Sequence, residues 1–195
     1  MIDATGTPSI PDAELPSAVE PDRFYIVAKR KFTILFVATL GLYSIYWMYK
    51  QWSCYKRSAQ PDAKERKFWP VARAIFGIFF FHSLFRRVKA HAGGSLDEWE
   101  NGAHATFLVI LILVSSVLDK LARKSIGSPV TDYLSMAMIF PLWFFYYKAQ
   151  CLINESCGDP EGTRNSTLTG ANYAWIAVGC IVWILALIGA VATAS

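Results

Sequence analysis

Apolar residues gather into five runs along this chain: Phe32 to Tyr49, Trp69 to Phe85, His104 to Leu118, Tyr133 to Tyr147 and Tyr173 to Ala194. Charged residues are almost confined to the stretches between them. A helix that crosses a bilayer needs about 20 mostly apolar residues, and only the last run reaches that length comfortably without a charge inside it. The pattern predicts an all-α, polytopic helical membrane bundle of four or five membrane segments over residues 24–195, preceded by a tail over 1–23.

Local signals refine the runs. Lys29, Arg30 and Lys31 open the first, and Trp47, Tyr49, Trp52 and Tyr55 close it, which places its aromatic half at headgroup depth. Pro70 suits the first residue of the second helix, where a missing N–H costs nothing. The run from Ala74 to Phe85 is apolar all round, as expected of a helix buried on every side. Arg86, Arg87 and Lys89 end it. Pro61-Asp62 marks a turn, and Gly93-Gly94 with Asp97, Glu98 and Glu100 makes a polar, acidic connector. Pro129 breaks the chain before the fourth run and Pro141 should kink that run near its middle.

Composition agrees: 54% of residues are hydrophobic and 17% charged, against about a quarter charged in ordinary soluble domains. The net charge of +4 sits on residues flanking the apolar runs, which fits anionic headgroups and argues against a nucleic-acid groove. The expected partners are therefore the lipid bilayer, a protein partner or a second copy, and no nucleic acid. Residues 1–22 hold four prolines among five acidic residues and cannot bury a core, so they should be disordered. They lack the basic-then-apolar order of a signal peptide, leaving the first run as its own insertion signal. Cys54, Cys151, Cys157 and Cys180 form no CxxC pair and read as quiet thiols.

Orientation is the difficulty. If all five runs cross, Lys and Arg divide nine against nine, and the positive-inside rule does not orient the bundle. If the first run dips in and returns, the division becomes thirteen to five; if the second is also re-entrant or interfacial, fifteen to three. Gly41 would suit a hairpin in the first run, but an irregular turn at membrane depth needs protein or water to satisfy its backbone. Whether runs one and two span fully or re-enter stays open. Aligning Lys50 with Lys148 pairs two aromatic helix ends, IYWMYKQ and WFFYYKA, the trace an inverted repeat would leave.

The block YIVAKRKFTILFVATLGLYSIYWMYKQW, followed by FWPVARAIFGIFFFHSLFRRV, resembles a family of small bacterial inner-membrane proteins of uncharacterised function. KAQCLINESC and NYAWIAVGCIVWIL look like the second half of the same group, so the resemblance covers roughly residues 24–190. It implies a multi-pass location in the bacterial cytoplasmic (inner) membrane. It implies no reaction and transfers no site residues.

Candidate chemistry is sparse. His91 and His104 bracket the acidic connector, but no fixed helical spacing supports a metal site. Arg73 and His82 are ionisable groups inside an apolar run, which makes them candidate intramembrane polar residues. Nine residues apart, they face nearly opposite sides of one helix. Arg73 can reach back to headgroups by snorkelling. The hydroxyls Thr39, Ser44, Ser83, Ser115, Ser116 and Ser135 suit helix–helix contacts better than a solute path. No catalytic or cofactor motif is present, and the expectation is a non-enzymatic envelope or partner-binding scaffold without a cofactor. A small oligomeric permease or channel using the Pro141 break is the alternative.

Overall fold

The computed structural model describes residues 22–58, 68–93 and 102–194, and these are helical almost throughout. The proline-rich tail to residue 21, the Pro61-Asp62 turn, Lys64, Arg66 and Lys67, and the cluster Asp97, Glu98 and Glu100 lie outside the described residues. The described part begins at Asp22, and Asp22 and Arg23 already have partners in it.

The first apolar run is two helices, α1 (Lys29–Ala38) and α2 (Tyr43–Arg57). They run antiparallel: Tyr25 meets Gln51, Phe24 meets Tyr55, and Phe32 meets Tyr43 and Trp47. Helix α1 stops in a two-bond C-terminal lock, with Gly41 N–H donating to Phe36 O at 2.8 Å and Leu40 N–H to Val37 O at 3.1 Å. Leu40 and Gly41 both take positive φ there, +50° and +82°; glycine accepts this freely, and leucine is held to it by the two bonds. Thr39 finishes the reversal, its hydroxyl donating to Leu35 O and accepting from Tyr43 N–H.

The second run is also broken. Helix α3 (Pro70–Ile75) begins with proline as expected, and a single residue, Phe76, separates it from α4 (Gly77–His91). The break sits where Gly77 packs against the Met48 side chain. Phe68 at the start of α3 and Arg87 near the end of α4 both reach Trp52 and Tyr55. The chain therefore enters and leaves this element at one end. Helix α4 does not stop at Arg86; it buries Phe81, Leu84, Phe85 and Val88 as a stripe and turns Arg86 outward.

Three helices among the described residues are long and apolar enough to cross a membrane: Ala103–Arg123, Val130–Ser156 and Gly170–Gly189. They are α5 (Ala103–Arg123), the pair α6 (Val130–Ala137) and α7 (Ile139–Ser156), and α8 (Gly170–Ala194). This corrects the expected four or five segments to three, because runs one and two fold back. Pro141 produces the anticipated break, but three residues earlier, at Met138. Its ring opposes the carbonyl of Ala137 and it has no N–H to give that carbonyl, so the chain departs from helix there.

Helix α7 organises the rest. Its residues 139, 146, 150 and 154 meet Gly41, Phe36, Tyr25 and Val27 in turn, so it runs antiparallel to α1 and parallel to α2. The Lys50 and Lys148 segments thus point the same way, and the pair is not an inverted repeat. Tyr146 lies at the centre of a ring cluster with Phe36, Trp47 and Phe81, all at 5.3–5.6 Å. Trp47 and Trp52 are fully buried in protein, where the sequence pattern placed them at the headgroups. Burial of each such side chain contributes roughly 1.5–3 kcal/mol.

Helix α8 packs on α1 by an unusually close approach. A Cβ on Gly179 would lie 2.0 Å from Ala38 O, and Trp183 Nε1–H donates to Val37 O at 2.9 Å. Only glycine admits the last carbonyls of α1 this near. Gly179→Ala should therefore destabilise the protein by about 1–3 kcal/mol through overpacking, seen as a lower melting temperature in detergent. An unchanged melting temperature would contradict the contact.

Candidate functional site

All the polar chemistry of interest collects at the end where both hairpins open. The segment Phe24–Ala28 is extended and is read, residue by residue, by amide side chains from three elements. Gln51 of α2 bonds both polar groups of Tyr25, accepting from its N–H at 2.9 Å and donating to its carbonyl at 3.1 Å. Asn154 of α7 does the same for Val27, at 3.3 and 2.9 Å. Gln150, one turn away, donates to Tyr25 O and to Asn154 Oδ1 and accepts from Trp47 Nε1–H. From the other side Asn165 donates to Ile26 O, and its own carbonyl accepts from Ala28 N–H. Gln51, Gln150 and Asn154 are all buried to within 1%. A buried backbone with no helix or sheet partner must be satisfied in some such way.

The loop that supplies Asn165 is held by Asp159, whose carboxylate accepts from the backbone N–H of Arg164 and the backbone and hydroxyl of Thr163. Those bonds, led by the Arg164 N–H, hold its carboxyl below the usual aspartate value. Gly162 lets the loop press on the extended segment, since a Cβ there would fall 2.4 Å from Val27 O. Lys31, buried to 4% exposure, ties α1 to the same loop through Asn165 Oδ1 and Thr167 O at 2.7 Å each. Burial pushes its ammonium below the ordinary lysine value. Lys29 pairs with Glu161, and Arg164 with Asp22.

Beside this clamp lies a cationic and aromatic cluster. Arg73 sits over Phe68 at 3.9 Å and Trp52 at 4.2 Å. Arg87 lies over Trp52 and Tyr55, and Arg23 over Tyr55. Arg73 is thus on α3 inside the second hairpin. His82 is on α4, across the Phe76 break, with Nε2 at 3.1 Å from Thr106 Oγ1. The two do not share a site. His91 packs edge-on against Phe24, with burial and then Arg23 pushing its pKa down, whereas His104 bonds Phe145 O. The structure does not bring His91 and His104 together, and no group of three metal-ligating side chains occurs among the described residues.

Two hollows lie away from the clamp. One, of about 330 Å³, is lined by His82, Arg86, Lys89, His104 and the start of α5. The other, of about 430 Å³, is an apolar groove between α2, α3 and Trp175 of α8. The amides Gln51, Gln150 and Asn154 were not singled out by the sequence pattern. Their signal was polar amides at i and i+4 directly after an apolar run, with one more inside the aromatic end of the first.

No family model, no curated protein and no solved structure matches the chain.

Asn154→Ala would strand both polar groups of Val27 and should cost roughly 2–4 kcal/mol, read as a loss of thermal stability that Gln51→Ala repeats. Asp159 ionises more easily folded than unfolded, so its contribution is complete above about pH 4 and is lost as pH falls through its lower folded value. Melting temperature should drop across that window in the wild type, and Asp159→Asn should flatten the drop.

Proposed function

We propose that the chain is an integral membrane protein, crossing the bilayer with α5, the α6–α7 pair and α8. The two hairpins sit in one leaflet and present a headgroup-binding platform. The observation that carries this reading is the distribution of charge. Of the sixteen Lys and Arg among the described residues, only Lys120, Arg123 and Lys124 lie at the far end; the other thirteen lie at or toward the end where the hairpins open. The connector bearing Lys64, Arg66 and Lys67 joins Ser58 to Phe68, both at that same end. By the positive-inside rule this end is cytoplasmic, with the C-terminus across the membrane.

Local electrostatics support the headgroup assignment. Lys29, Arg30 and Lys31 fill the first turn of α1, where the helix dipole is itself positive. Each cation there is disfavoured by about 0.3–1 kcal/mol. Lys29 is offset by Glu161 and Lys31 by the oxygens of Asn165 and Thr167, which leaves Arg30 as the exposed cation of the turn, free to meet negative charge outside the protein. The protein then acts without catalysis, as a docking scaffold in the envelope, and the family resemblance points to a bacterial inner membrane. The ring cluster around Tyr146 fills the space between hairpins and α7, which speaks against a solute path through one copy.

In nanodiscs formed from equal parts phosphatidylglycerol and phosphatidylcholine, the lipid retained by the protein should be enriched in phosphatidylglycerol. The enrichment should fade at 1 M salt, where the screening length is about 3 Å. Equal retention of both lipids would contradict the platform. Solute flux in vesicles above the protein-free rate would favour a permease.

A further inference from the structure

One face of α4 and the start of α5 enclose a hollow that the amide clamp does not use. His82, Arg86 and Lys89 stand at i, i+4 and i+7 on α4, which puts them in one stripe along the helix. With Phe85, His104 and Ala105 they line about 330 Å³ of space, at the lower end of the range of about 300–1,000 Å³ for small-ligand pockets. Each imidazole is committed through one nitrogen. Thr106 gives its hydroxyl proton to Gly102 O, so His82 Nε2 must be the donor to Thr106 Oγ1. His104 Nε2 meets the carbonyl of Phe145 and so carries its proton as well. Two imidazoles held in this way would suit a metal ion. Arg86 and Lys89 decide against it, because two positive charges lining the same hollow repel a cation. Neither has a hydrogen-bond or ion-pair partner among the described residues. Both lie nearer the open end than His82, since α4 ends with His91 against Phe24. Away from that end, α5 continues with Phe107 and Ile110 exposed. A ligand that satisfies both surfaces is an anion with a hydrocarbon tail.

We propose that this hollow binds the phosphate group of an anionic phospholipid, one molecule per chain. Arg86 offers a planar fork that can meet two phosphate oxygens at once, and Lys89 adds a point charge one turn away. The acyl chains then lie along the exposed apolar face of α5. Basic pockets between membrane helices on the cytoplasmic side hold anionic headgroups by the same chemistry. The site rests on the platform reading for its lipid, and narrows that reading from a charged surface to a single saturable position. A soluble phosphate offers the same oxygens without the tail.

The test uses the full chain in phosphate-free neutral detergent. Native mass spectrometry counts the phosphatidylglycerol and phosphatidylcholine carried per chain, and inorganic phosphate is titrated by its effect on melting temperature. Arg86→Gln and Lys89→Gln remove the charges of the hollow, and Arg30→Gln removes an exposed charge elsewhere at the same end. Melting temperatures without lipid report that the variants fold. One phosphatidylglycerol should be retained per chain, saturably. Arg86→Gln and Lys89→Gln should each weaken it roughly tenfold or more, and Arg30→Gln should not. One lipid lost in this way upholds the site even if enrichment in nanodiscs fails. Enrichment without it leaves the platform standing and overturns the site. Equal retention of phosphatidylcholine, or the same loss in Arg30→Gln, also overturns it. A rise in melting temperature with inorganic phosphate while no phosphatidylglycerol is retained would assign a soluble anion and overturn the lipid. Lipid retention that begins only when Asp97, Glu98 and Glu100 are neutralised would mean that the chain's own carboxylates fill the hollow, and would overturn it too.

Discussion

A chain that reverses direction among apolar neighbours must find a partner for every N–H and C=O that its helices release, because nothing around it can solvate them. The turn at residues 39–42 meets that constraint, and the rest of the structure depends on its doing so. The Thr39 hydroxyl, the two bonds from Leu40 and Gly41 and the bonds into the start of α2 account for the local groups. The carbonyls of Val37 and Ala38 face outward from α1, and α8 answers them with Trp183 and with the bare Cα of Gly179. Helix α8 is therefore more than a helix long and apolar enough to cross a membrane: it seals the tip of the hairpin.

Once the first run folds back, the other end of the hairpin must be closed too. There the incoming segment Phe24–Ala28 has no helix or strand to join, and Gln51, Gln150, Asn154 and Asn165 take the place of one. The two solutions face opposite problems with the same means, side chains standing in for backbone. Between them the aromatic rings around Tyr146 fix the hairpin against α7. The cost of this plan is the crowding of cations at one end, and the proposed anionic surface rests on that crowding.

The sequence made the apolar runs legible but not their geometry. A continuous apolar run of eighteen residues looks the same whether it crosses once or folds in two. Gly41 and Pro141 were the visible signals for two breaks, and both breaks occur; the break at Phe76 falls beside Gly77, an isolated glycine in an apolar run that does not by itself tell a break from close packing. The nine-against-nine division of charge was the real clue, since it becomes one-sided once both early runs return. Trp47 and Trp52 misled because a tryptophan near a run's end reads as a belt residue whether it faces lipid or a neighbouring helix. The amide clamp joins residues more than a hundred positions apart, and no local pattern announces such a pairing. Arg73 was legible as a polar residue in an apolar run, but its aromatic surroundings come from tertiary folding.

The most direct test is side-specific labelling of Cys54 in cells, as the only cysteine, with a membrane-impermeant thiol reagent. A Ser125→Cys version marks the far end, and a Glu161→Cys version the end where the hairpins open. The one-leaflet hairpin predicts that Cys54 and residue 161 react only after the membrane is permeabilised, while residue 125 reacts in intact cells. Labelling of Cys54 from outside while residue 161 stays protected would mean that the first run crosses the bilayer, and would contradict the one-leaflet hairpin.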